Sequence, residues 1–374
     1  MNGFSFKRFL AVLRKEWIQM RRDPMTVRMI IALPVMQLFL FGYAINVTPK
    51  NLPTGLLSAS HSKYERTIVA ALQNTGYYNI RTLASEAEAE QALAQGDVLF
   101  VINIPPNFDR LVDRGEKPTI LADADATDPS TIGYATAALP AITAALNRDL
   151  PPALQSLPMQ PPFQFTLHAR YNPEQLTALN IVPGLICIVL TVSTLIITTL
   201  SITRERERGT MENLLAMPVR PIEVMLAKIV PYIAVGYVQV LLILTISALV
   251  FQLPLRGSLA LLMVTLGLFI ASNLALGLTF STVATNQMQA QQLAQFTLLP
   301  SFMLSGFMFP FKGMPFWAQW IGELFPTTHA MRIVRGLLLK GSGVPALAPE
   351  LWPIAAFTLI VTAVAIWSYR ETLD

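Results

Sequence analysis

The sequence predicts a polytopic α-helical membrane protein: six transmembrane helices, an N-terminal amphipathic elbow helix, an α/β domain inserted after the first span, and re-entrant helices before the last span. Three observations carry this expectation. Only 13% of the 374 residues are charged and 53% are hydrophobic, whereas a soluble domain averages about 25% charged; the mean hydropathy is +0.49. Several stretches exceed the roughly 18 uncharged apolar residues needed to cross about 30 Å of hydrocarbon. Residues 48–175, by contrast, alternate short apolar runs with helical patterns.

Residues 1–26 place Phe6, Phe9, Leu10, Leu13, Trp17 and Met20 at helical spacing, with Lys7, Arg8, Arg14, Lys15, Arg21 and Arg22 largely off that stripe. Such a helix lies in the interface, with Trp17 at headgroup level and its basic groups beside anionic lipid. It reads either as a basic flank that orients the first span or as an elbow helix that contacts a partner. A secretory signal fits poorly, because the basic region is long and no Ala-x-Ala cleavage site follows. Residues 27–47 form the first span, kinked at Pro34.

Within 48–175, "TGLLSAS", "VLFVINIP" and "PTILADADA" read as strands, and "SKYERTIVAALQNTG" and "SEAEAEQALAQG" as helices. The Pro-rich "LPPALQSLPMQPPF" is a connector before a last strand, "FQFTLHARY". Residues 176–374 hold five spans: 176–202, 229–253, two within the uncharged run 257–311 divided by "TNQMQAQQ", and 351–367. Six Lys/Arg before residue 25 and five in loop 203–228 put both segments on the cytoplasmic side and the α/β domain outside. Lys312, Arg332, Arg335 and Lys340 dissent, because loop 312–342 would then be external. Amphipathic re-entrant helices held by Trp317 and Trp320 reconcile them, since non-helical turns at depth are tolerated when buried in protein.

Several chemistries are disfavoured. The net charge is +4 and the pI about 9.2, but the basic residues flank spans, so membrane orientation explains them and no nucleic-acid partner is expected. Cys187, the single cysteine, falls in an apolar span, and His61, His168 and His329 lack metal-ligand spacing. No metal and no catalytic residue is assigned. "ADADATDP" (Asp123, Asp125, Asp128) looks like the opening of a calcium loop but lacks glycine at position 6 and an acid at position 12, where Tyr134 stands. No G-x-x-x-x-G-K-[ST] loop occurs, and "LSGF" at Leu304 lies inside a span, so the chain is not expected to hydrolyse ATP itself. No span carries Asp, Glu, Lys or Arg through its centre, and Arg28 sits only at an edge, which counts against an ion-coupled secondary transporter. Gln37, Gln239 and Asn273 do lie within spans, as interhelical hydrogen-bonding groups or as candidate pathway contacts.

The stretch "SITRERERGTMENLLAMPVRPIEVMLAK", residues 201–228, packs nine charged side chains between uncharged flanks. From Arg204 to Arg208 the signs alternate through Glu205 and Glu207, so the preceding helix can continue into water, each Glu–Arg pair contributing a few tenths of a kcal/mol. Gly209 permits a bend, Thr210 can cap a new helix, and Glu212 suits its positive N-terminal end. Met211, Leu214, Leu215 and Met217 are apolar, and Pro218 and Pro221 stop the element. The stretch reads as an ordinary positive-inside loop, or as a short stiff helix pressing apolar knobs into a partner. Burying two leucines there would contribute a few kcal/mol, at about 1.5–3 kcal/mol each.

At these residues the chain resembles a known family. "RERERGTMENLLAMPVRPIEVMLAK", "RKEWIQMRRDP", "LFGYAIN", "INIPPNF", "MLSGFMFP" and "FPTTHAMRIVRGLLLKG" look like motifs of ABC-2 type exporter permeases, the membrane subunits of bacterial ATP-binding-cassette exporters, in the expected order over nearly the whole chain. The variety with a large insert after the first span is often paired with a periplasmic adaptor. The resemblance implies an inner-membrane protein with a cytoplasmic N-terminus and a periplasmic α/β domain. It implies a dimer with a second permease copy, identical or homologous, and separate ATPase subunits holding ATP and Mg, with no cofactor in this chain. Lys15, Glu16, Trp17, Arg22 and Asp23 would belong to the elbow helix. Glu205, Glu207, Arg208, Gly209, Thr210, Glu212, Leu214, Leu215, Met217 and Pro218 would form the ATPase-coupling segment. Spans two and five would line the exit path, and 312–342 would be the external re-entrant pair. The expected activity is export of a hydrophobic or amphipathic, drug-like or lipid-like substrate. Two other readings stand beside it: a mechanotransmission complex that acts on a periplasmic partner without moving cargo, and a secondary transporter.

Overall fold

The computed structural model describes residues 51–58, 62–127, 133, 137–150, 162–174, 176–207 and 221–371. The elbow helix, the first span and segment 208–220 therefore lie outside the described residues.

Residues 52–170 build a mixed sheet of five strands in the order β2-β1-β3-β4-β5. The strands are β1 (Leu52–Ser58), β2 (Tyr78–Thr82), β3 (Phe100–Ile104), β4 (Thr119–Asp125) and β5 (Gln164–Arg170). β1 runs parallel to β2 and β3, β4 is antiparallel to β3, and β5 is parallel to β4. Alternation sends Leu52, Leu56, Phe100, Ile102, Ile104, Ile120 and Ala124 to one face. There they meet Ile68 and Leu72 of α1 (Lys63–Asn74) and Ile142 and Leu146 of α4 (Leu139–Asp149). The opposite face is covered over Leu57 and Val101 by Ala89 and Leu93 of α2 (Glu86–Gln95). α2 is sharply bounded: Ser85 accepts from the Glu88 N–H at its start, and Gly96 closes it at φ 76°. A short α3 (Phe108–Asp113) tucks Phe108 into the core.

The remaining residues are helical. α5 (Thr177–Glu207), α6 (Pro221–Val250), α7 (Leu259–Val283), α8 (Gln287–Leu304) and α11 (Val344–Glu371) are long; α9 (Phe316–Glu323) and α10 (Pro326–Arg335) are short, and a π turn covers Gly336–Lys340. Ile186, Cys187 and Leu190 of α5 pack with Leu266, Phe269, Ile270 and Leu274 of α7, Ile333 and Val334 of α10, and Ile354 of α11. α7 is thus the hub. α6 and α11 instead present large apolar side chains outward, among them Val238, Leu242, Leu249, Leu359 and Ile360, as lipid-facing helices do.

Among the described residues four helices are long and apolar enough to cross a membrane: Ile181–Leu200, Pro231–Val250, Leu259–Val283 and Val344–Trp367. α8 stands where a fifth span is expected but is not one of the four, since its 18 residues include five glutamines. Two helices also begin earlier than hydropathy suggests, α6 at Pro221 rather than 229 and α11 at Val344 rather than 351. Helix formation does not stop where charge begins. α5 likewise continues through Arg204 to Glu207, and its 31 residues at about 1.5 Å each reach roughly 46 Å, longer than the hydrocarbon they would cross.

Candidate functional site

The polar groups of the helical part gather in three places. At the far end of α5, Glu207 accepts the backbone N–H of Gln287 at 2.7 Å and also the Gln287 side-chain amide, while Arg204 Nε donates to Gln287 Oε1 at 3.0 Å. Gln287 opens α8, whose start is capped by Asn286 accepting from the Gln289 N–H at 2.9 Å. Gln289 Oε1 in turn accepts the N–H and hydroxyl of Thr285. A carboxylate therefore faces the positive end of a helix. Hydrogen bonds from the side chain and backbone of Gln287 hold the Glu207 carboxyl below the usual glutamate range. Glu205 is in the last turn of α5. Arg208, Gly209, Thr210, Glu212, Leu214, Leu215, Met217 and Pro218, like Lys15, Glu16, Trp17, Arg22, Asp23 and Gln37, lie outside the described residues.

The second place is the body of α5. Thr191, Thr194, Thr198, Thr199 and Thr203 are buried, and each donates its hydroxyl to the carbonyl four residues earlier. That back-bonding satisfies the hydroxyls inside the helix and leaves a narrow face for close packing. Of the candidate pathway residues, Gln239 of α6 accepts from Ser193 of α5 at 2.8 Å and is half-buried. Asn273 is buried within α7 and donates to the Phe269 carbonyl of its own helix. The first joins two helices; the second is enclosed by packing.

The third place joins the α/β domain to α9 and α10. Lys340 Nζ lies 2.6 Å from Asp125 Oδ2 and donates to the Leu93 and Ala94 carbonyls at the end of α2, and Lys312 donates to the Gly96 carbonyl. Two lysines thus meet the negative end of α2. Beside them Arg332 bridges Glu323 (2.6 Å) and Glu350 (3.1 Å), and lies 4.4 Å from the centre of the Phe311 ring. His329 Nδ1 is 2.5 Å from Glu350 Oε2. Charge counting along the chain reads these basic residues as a topological dissent, yet each is bound within the protein; Arg335 donates to the Gly306 carbonyl. Sequence reasoning missed this cluster, although the acids at Glu323 and Glu350 flanking "HAMR" were a visible signal. Asp123, in the stretch whose likeness to a calcium loop fails at positions 6 and 12, is bonded to His168 and Arg170.

A hub helix, an unbroken charged-ended α5 and outward apolar faces define a helical integral membrane protein. The chain belongs to the ABC-2 family: the family model described as "ABC-2 family transporter protein" matches residues 25–367. It is 29% identical over 340 residues to the probable multidrug ABC transporter permease YbhS of Escherichia coli (strain K12), covering 90% of each chain. It is 26% identical over 368 residues to the probable multidrug ABC transporter permease YbhR of the same organism, covering 98% of this chain and 99% of that protein. A third relative is the ABC transporter G family member 20 of Dictyostelium discoideum, 24% identical over 94% of this chain but only 48% of that protein.

Proposed function

We propose that the chain is the permease subunit of an ATP-driven exporter, moving a hydrophobic or amphipathic substrate outward across the bacterial inner membrane. Two copies, or this chain and a homologous one, form the pathway, and separate ATPase subunits hold ATP and Mg. The N-terminus and segment 208–220 are cytoplasmic, the α/β domain is periplasmic, and a periplasmic adaptor is its natural partner. The observation that supports this reading most is α5, which runs without interruption from the α/β domain to Glu207 and is there bonded to Gln287 of α8. Movement imposed on the segment that follows Glu207 would reach both helices as rigid bodies. The multidrug relatives support an apolar or amphipathic substrate.

The test is at Leu215. Leu215→Arg, or deletion of residues 209–217, is expected to abolish co-purification of the ATPase while membrane insertion stays normal. Wild-type ATPase affinity in both variants would remove the coupling assignment. Mechanotransmission is a second reading, favoured by the Lys340–Asp125 and Lys312–Gly96 contacts that tie the α/β domain to α10 and its neighbours. It predicts that deleting the α/β domain abolishes the phenotype although vesicles containing the intact complex never move cargo.

A further inference from the structure

Between the end of α2 and the helices α9 and α10 lies a cavity of about 360 Å³, within the span of roughly 300–1,000 Å³ usual for small-molecule sites. Four basic side chains line it: Lys312, Arg332, Arg335 and Lys340. Two are matched, Arg332 by Glu323 and Glu350 and Lys340 by Asp125. The other two form no ion pair among the described residues, although the exposed Asp97 carboxylate acts on Lys312 through space. Arg335 gives Nη1 to the Gly306 carbonyl at 3.2 Å, but its Nε is buried with no hydrogen-bond partner among the described residues. Lys312 gives one of its three N–H groups to the Gly96 carbonyl, and its burial pulls its pKa down. Buried donors in native proteins are nearly always satisfied, and cationic donors bond most strongly to an oxyanion. Among the acids on the wall, Glu323, Glu350 and Asp125 are engaged, and Asp97 is exposed.

The same helix that walls the cavity also places it. Gln319 and Glu323 of α9 line it, while Phe316, Trp317, Trp320, Ile321 and Leu324 are exposed, Phe316 by 76% and Trp320 by 65%. An aromatic face of this kind belongs at the headgroup level of a bilayer. A helix is only about 10–12 Å across with its side chains, so Arg335 and Lys312 stand within a headgroup's reach of that face.

We propose that this cavity receives the phosphate group of a membrane phospholipid, held by Arg335 and Lys312. The Arg335 guanidinium supplies the unused Nε–H and the Lys312 ammonium its remaining N–H groups, while Phe311, Met331 and Leu347 form the apolar part of the wall, on the side where the acyl chains would begin. The assignment rests on membrane character alone and not on the direction of transport, so a failed export assay leaves it standing.

The full-length chain, purified in mild detergent from mixed micelles of equal parts phosphatidylcholine and phosphatidylglycerol, is washed and its retained phospholipid measured by mass spectrometry. The wild type is expected to keep phospholipid through the wash. Arg335→Gln and Lys312→Gln should each lose it several-fold, while Arg81→Gln, at an exposed position on β2, keeps it. A parallel arm adds inorganic phosphate to lipid-stripped protein and follows thermal unfolding. If phosphate raises Tm in an Arg335-dependent way while lipid retention is the same in all variants, the lipid source is overturned in favour of a soluble anion. Wild-type retention in a monodisperse Arg335→Gln protein, with no phosphate response, overturns the site altogether. Should Arg335→Gln fail to fold, Lys312→Gln decides by the same two readings.

Discussion

Lys340 and Asp125 are 215 positions apart and lie 2.6 Å from each other. Their side chains are 10% and 5% exposed. Lys340 also sits 5.1 Å from the centre of the Tyr171 ring, so the ammonium is enclosed by the ends of β4 and β5, the end of α2 and its own π turn. The two residues form a direct, largely buried ion pair between the α/β domain and the helical part. It joins the strand that ends at Asp125 to the segment between α10 and α11.

Breaking such a pair from one side leaves a buried charge behind. Removing one partner of a buried ion pair costs about 3–5 kcal/mol, whereas replacing both is often neutral. Lys340→Met should therefore lower Tm clearly, Asp125→Asn should do so as well, and the double variant should recover much of the loss. Thermal unfolding of the four proteins in detergent forms a complete cycle. Strictly additive losses would show that the two residues are not coupled.

The Glu207 junction predicts a pH dependence. The hydrogen bonds from Gln287 hold the folded carboxyl below its unfolded value. A group depressed in this way contributes stability that is present above the unfolded pKa and is lost as pH falls through the folded pKa. Glu207→Gln removes that titration. The wild type should lose Tm more steeply than Glu207→Gln as pH is lowered through the carboxylate range, and the two curves should converge at the acid end. Parallel curves over the whole range would mean that the junction does not form in the folded protein.

These two sites differ in how visible they are from sequence. The charges from Arg204 to Glu207 alternate in sign, so opposite charges three residues apart can support a helix, and the continuation of α5 into that run follows from local rules. The partner of Glu207 does not, because Gln287 is brought to it only by the packing of α5 against α8. Lys340 and Asp125 are a stronger case. Nothing in the spacing of either residue encodes the other, and charge counting registers Lys340 without its partner. The buried threonines of α5 fall between these extremes. Their density in "TVSTLIITTLSIT" was open to inspection, but a hydropathy window averages hydroxyls away, and their function as a packing face appears only once α7 lies against them.

That packing face makes Gly277 a sensitive position in the hub. A Cβ at Gly277 of α7 would stand 2.9 Å from the Leu195 carbonyl oxygen and 2.9 Å from the Thr198 Cβ of α5. Both are backbone or branch-point atoms that cannot swing aside, so the two helices must separate, and overpacking of this kind costs typically about 1–3 kcal/mol. Neither α5 nor α7 can yield locally, because α7 is also fixed by Phe269 and Leu274 in the central cluster. Gly277→Ala should then lower Tm, and Gly277→Leu should reduce the yield of monodisperse protein. Gly343 is the matched control: a Cβ there meets nothing closer than Pro345 Cδ at 3.7 Å, and Gly343→Ala should unfold with the wild type. If Gly277→Ala also unfolds with the wild type, α5 and α7 are not in contact at Leu195 and the close crossing at the hub is wrong.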